Sequence, residues 1–142
     1  MATKQDFTEA EWAALHRGVM GTGMLVSLSD RDFTDMFGEV GAMGKFLAGQ
    51  QTASSSPLVR DLAREHGTGF GMTAPPDRVR SETMDALKTA VATLSTKAPD
   101  ELEPYKGLVL GVAQTVADAK GGGTAPVEAQ VIEGVREALG AS

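Results

Sequence analysis

The two ends of the chain carry the same spacing of apolar residues, and this feature most constrains the fold. When residues 15–53 are placed on 104–142 without a gap, the apolar positions coincide. The coinciding pairs include Val19 with Leu108, Met20 with Val109, Met43 with Ile132 and Phe46 with Val135. The identical pairs are Gly18 with Gly107 and Glu39 with Glu128, so the comparison depends on the hydrophobic register. A helical pattern repeated at both ends predicts a pseudo-symmetric bundle.

Helical periodicity runs through the chain, and no segment alternates apolar and polar residues over more than a few positions. Aromatic residues make up 5% of the sequence, so Ala, Val, Leu and Met must build the core, which favours closely packed helices. We predict one all-α domain over 1–142, a single compact bundle of six to seven helices. Its repeat-like halves, about 7–66 and 77–140, are joined by a Gly/Pro-rich crossover at 67–76.

Capping and breaking residues predict where the helices begin and end. Thr8-Glu9-Ala10-Glu11 is a capping box for the first helix, and Phe7 is placed to pack onto its first turn. The other helices are predicted from about Arg31 or Asp32 to Gly49, from Pro57 to His66, over about 77–96, over about 100–119, and from Thr124 to Leu139. We expect the hairpins 12–47 and 105–139 to be related by a pseudo-twofold axis.

The apolar positions of these helices predict the core. The fifth helix has an unbroken apolar face from Tyr105 to Ala117, and the first has a stripe wide enough for a central, nearly surrounded helix. Its glycines Gly18, Gly21 and Gly23 lower helix propensity, which close approach by a neighbouring helix would offset. We expect these residues to be buried: Leu15, Val19, Phe37, Val40, Leu87, Val91, Leu108, Val112, Val116, Val131 and Val135.

Charge and composition disfavour several classes of function. The net charge is −6 and neither half of the chain is basic, which disfavours nucleic-acid binding because that affinity comes largely from Lys and Arg. The chain has no Cys, which excludes disulfides, thiolate metal sites and Cys nucleophiles. Its start lacks the apolar region of a signal peptide, and no apolar stretch approaches the roughly 20 residues that span a bilayer. We expect a cytoplasmic protein without a transmembrane segment.

Acidic residues cluster at the turns of both predicted hairpins. Asp30, Asp32 and Glu39 surround the first turn, and Asp118 and Glu128 bracket the second. Carboxylate oxygens suit Ca²⁺ or Mg²⁺, but acidic residues in the first turn of a helix also stabilise its positive end. The second turn has too few carboxylates for a tight site. We predict no cofactor and no specific metal, and these five residues are the weak candidates for a divalent cation.

The remaining polar motifs do not predict a catalytic site. His16 and His66 are the only histidines, and no Ser-His-Asp or His-Glu-His spacing accompanies them. The stretch 67–71 (GTGFG) has the glycines of a phosphate-binding loop, but it follows a helix and lacks the subsequent Lys-Ser/Thr. We therefore predict no catalytic residues and no enzymatic activity.

The fifth helix and its exit resemble a hairpin of a known family. The segment 111–120 (GVAQTVADAK) is followed by glycines and then by 124–128 (TAPVE). A long apolar helix ending in Ala-Asp, a polar turn and a helix opened by Glu resemble the second hairpin of the tellurite-resistance TerB-like helical family. The matching residues are Ala117-Asp118 and Glu128, with Ala119-Lys120 where that family has Gly. The first hairpin matches through Phe7, Glu11-Trp12, Asp30 and Glu39.

The resemblance implies a compact all-helical bundle with pseudo-twofold repeats and a role in bacterial stress response or envelope-associated complexes. It also implies divalent-cation binding at the acidic turns and no established catalytic residues. Three classes of function remain open. The first is a non-enzymatic helical interaction module that binds a protein partner or itself. The second is a metal-dependent enzyme that uses the acidic turns. The third is a small-molecule or lipid carrier with a Met-lined cavity between the first two helices.

Overall fold

The chain folds as an all-α bundle. The computed structural model describes residues 4–29, 36–54, 56–64, 75–118 and 126–140. Within these ranges the chain forms six α-helices and two short 3-10 turns, and it contains no strand. The all-α architecture expected from the periodicity is therefore confirmed.

The helix bounds follow the capping and breaking residues closely. The helices are α1 (Glu9–Ser29), α2 (Met36–Ala53), α3 (Pro57–Arg64), α4 (Pro76–Lys97), α5 (Leu102–Asp118) and α6 (Pro126–Ala138). Helix α2 extends beyond the predicted end at Gly49. Helix α5 starts later than predicted, because Pro99–Glu101 form a 3-10 turn. The crossover predicted at 67–76 lies almost entirely outside the described residues.

Helix α1 is the central helix of the bundle. It packs most extensively against α4, then against α5, and it also contacts α6 and α2. Its residues 18–23 are all buried, so this part of the helix is surrounded on every side, as its wide apolar stripe predicted. The first half is different, because Ala10 and Ala13 are exposed there. This half of α1 therefore has an outward face.

The core is built mainly from small and medium aliphatic side chains. The predicted core residues Leu15, Val19, Leu87, Leu108, Val112, Val116 and Val135 are all buried. Val91 and Val131 are only half-buried at the edge of the core, which corrects the prediction for these two. Periodicity indicates the direction of a buried face, whereas its width depends on how far the neighbouring helices reach. The side chains of Phe37 and Val40 lie outside the described residues.

The pseudo-twofold relation between the hairpins 12–47 and 105–139 stays a prediction. Both connecting turns, 30–35 and 119–125, lie outside the described residues. The glycines that the register pairs have different surroundings. A Cβ on Gly18 would meet Tyr105 and Leu87, while a Cβ on Gly107 would meet nothing within 4 Å.

Candidate functional site

The first turn of α1 is fixed by a reciprocal capping box. The Thr8 backbone N–H donates to Glu11 Oε1 at 2.9 Å, and the Glu11 N–H donates to Thr8 Oγ1 at 3.1 Å. Phe7 packs on Trp12, with ring centroids 6.2 Å apart. A hydrophobic residue before the cap that contacts the fourth helical residue is a hydrophobic staple. Both devices confirm the predicted start of this helix.

A cross-helix ion pair connects the start of α1 to the end of α4. Lys97 Nζ lies 2.5 Å from Glu11 Oε1, the same oxygen that accepts the Thr8 N–H. The hydrogen bond from Lys97 is the main reason that the pKa of Glu11 is lowered, and the Thr8 N–H contributes in the same direction. Since the first turn of one helix meets the last turn of the other, α1 and α4 are antiparallel.

A buried tyrosine connects α5 to α1. The Tyr105 hydroxyl donates to the Leu15 carbonyl at 2.8 Å, and the Tyr105 side chain is fully buried. Burial raises the pKa of Tyr105, so the hydroxyl stays protonated and acts as a donor. A Cβ on Gly18 would overlap this hydroxyl and lie 3.0 Å from Leu87 Cδ2. Gly18 therefore allows α1, α4 and α5 to meet at this level.

A groove runs along the outer surface between α1 and α4. Its volume is about 410 Å³. The residues that line it are Ala10, Ala13, Ala14 and Arg17 from α1, and Glu82, Asp85, Ala86 and Thr89 from α4. Small side chains therefore form its floor, while charged side chains gather around Arg17. We call this surface the α1–α4 groove.

The charged end of the α1–α4 groove carries charges of both signs, from Arg17, Glu82 and Asp85. Arg17 of α1 and Asp85 of α4 both line this end. The carboxylate of Glu82 is 3.3 Å from Arg78 in an ion pair within α4. Asp85 is exposed and forms no ion pair with any other residue that the structure describes.

A second surface depression borders the groove at Ala13. It has a volume of about 360 Å³ and is lined by Phe7, Thr8, Glu9, Trp12, Ala13 and His16. Neither depression was predicted from the sequence, since an alanine side chain has no functional group that would indicate a binding site. A signal was nevertheless present. Ala10, Ala13, Ala14 and Arg17 have the i, i+3, i+4, i+7 spacing that puts residues on one face of a helix.

A buried hydrogen-bonded pair holds α3 against the start of α5. The Ser56 hydroxyl donates to Glu101 Oε2, and both residues are almost completely buried. Ser56 also caps α3, because its Oγ accepts the Val59 N–H at 3.2 Å. The predicted Ser-Pro start signal of this helix is therefore present. The carboxylate partner, 45 residues away in the sequence, was not predicted.

Of the five residues predicted as weak metal candidates, only Asp118 has a side chain within the described part of the structure. Asp30 and Asp32 lie outside the described residues, and so do the side chains of Glu39 and Glu128. Asp118 is exposed at the end of α5 and accepts a hydrogen bond from Gln114 Nε2 at 2.8 Å. Among the described residues, no three His, Asp or Glu side chains form a group that could hold a metal ion.

Of the two histidines, only His16 lies within the described residues. His16 is half-buried on α1 and lines the depression beside Trp12. His66 and the glycine-rich stretch 67–71 lie outside the described residues. No described helix is both long and apolar enough for a membrane span.

The fold and the site define an all-α helical bundle with an open groove on its surface. Comparison of the chain with protein-family models, with curated proteins and with solved structures finds no match.

Proposed function

We propose that the protein is a non-enzymatic helical module that binds another protein through the α1–α4 groove. The observation that carries this proposal is the face of α1 formed by Ala10, Ala13 and Ala14, beside the charged Asp85 on α4. Exposed small residues between two helices admit a third helix at short interaxial distance. Helix-in-groove docking is a recurring mode of protein recognition.

The contacts that hold the two helices together support the proposal. The Glu11–Lys97 ion pair connects their ends, and the Gly18 contact with Leu87 sets how closely they approach. A groove between elements that are held in this way needs little rearrangement on binding, so less free energy is lost in ordering it. The buried hydrogen bond from Tyr105 to the Leu15 carbonyl also fixes this part of α1 against α5.

Packing behind the groove favours a surface function over a carrier function. Leu15, Val19, Leu87 and Leu94 are almost completely buried behind it, so side chains fill this part of the bundle. Between α1 and α2, where a carrier would need its cavity, the buried Met43 side chain lies against Gly23. The groove itself is an open depression between two helices. A lipid carrier would enclose its ligand, whereas a protein partner needs only an accessible face.

The biological setting that we propose comes from the sequence resemblance. Ala117 and Asp118 end α5, and Glu128 lies near the start of α6, in the arrangement that resembles the TerB-like hairpin. We propose on that basis a cytoplasmic role in bacterial stress response of the tellurite-resistance type. The partner would then be another component of the same response.

Site-specific crosslinking in the native cell tests the proposed function. A photoreactive amino acid replaces Ala13 in the groove, and the matched control replaces Ala48, which is exposed on α2. We expect a discrete crosslinked partner at position 13 that is missing at position 48. The same crosslinked species at both positions, or none at position 13, would show that the groove is not the binding site.

A further inference from the structure

We draw no further inference here: the strongest candidate, the surface depression lined by Phe7, Trp12 and His16 beside the start of α1, lies at the end of a single helix, its two aromatic residues are themselves buried, and nothing among the described residues shows what would occupy it.

Discussion

Replacing Gly18 by Ala tests the closest contact of the bundle. The new Cβ would overlap the buried Tyr105 hydroxyl and lie 3.0 Å from Leu87 Cδ2. Overpacking of this kind costs about 1–3 kcal/mol. Displacing the hydroxyl from the Leu15 carbonyl leaves a buried polar group without its partner, at about 1–3 kcal/mol more. The higher helix propensity of Ala offsets about 1 kcal/mol of this cost. We therefore expect Gly18→Ala to lower the free energy of unfolding by about 1–5 kcal/mol.

Gly107→Ala is the matched control for this experiment. Gly107 pairs with Gly18 in the hydrophobic register, but it is exposed and a Cβ there meets nothing within 4 Å. This variant should be more stable than the wild type by up to about 1 kcal/mol. Urea denaturation followed by circular dichroism measures both. Equal effects of the two substitutions would refute the argument that Gly18 is needed for close approach.

A double mutant isolates the contribution of the hydroxyl. Tyr105→Phe alone should cost about 1 kcal/mol, because one buried hydrogen bond is lost. In the Gly18→Ala background the same change removes the overlapping atom, so it should restore part of the lost stability. Strictly additive effects would mean that the two positions are not in contact.

Three further substitutions test separate parts of the structure by the same denaturation assay. Ser56→Ala should cost about 1–3 kcal/mol, since it removes the cap of α3 and the donor to the buried Glu101 carboxylate; no loss would contradict the buried pair. Thr83→Val should stabilise by about 1 kcal/mol, because the Thr83 hydroxyl is buried and has no hydrogen-bond partner within the described chain; destabilisation would show that it has one. The hydrogen bond from Lys97 lowers the pKa of Glu11 below its ordinary value of 4.5. The ionised Glu11 carboxylate therefore stabilises the fold fully at a pH above 4.5. The stability difference between wild type and Glu11→Gln should accordingly be complete near neutral pH and shrink as the pH falls below 4.5, and a difference independent of pH would contradict this.

Local signals allowed much of the helical architecture to be predicted. The capping box at Thr8 and Glu11 and the Ser-Pro start of α3 involve residues within four positions of each other, so their geometry depends little on the rest of the fold. The unbroken apolar face of α5 likewise specified a buried side, and the residues on it are buried. Such features can be predicted because the interacting groups are close in the sequence.

Contacts between distant segments could not be predicted in the same way. Leu15 and Tyr105 are 90 residues apart, and Glu11 and Lys97 are 86 residues apart. Periodicity indicates that a helix has a buried face, but it does not say which other helix covers that face. The α1–α4 groove follows from just such a pairing. Its lining residues have the i, i+3, i+4, i+7 spacing on both helices, but the sequence does not show that these two faces lie side by side.

The affinity of the crosslinked partner for two matched variants tests most directly whether the α1–α4 groove is the binding site. The purified partner is titrated by calorimetry into wild type, Ala13→Arg and Ala48→Arg, after equal unfolding free energies have been established for all three. Both variants add the same charge and the same bulk at an exposed alanine, one in the groove and one on α2. We predict at least a roughly tenfold loss of affinity for Ala13→Arg and an unchanged affinity for Ala48→Arg. An unchanged affinity for Ala13→Arg would contradict binding through the groove.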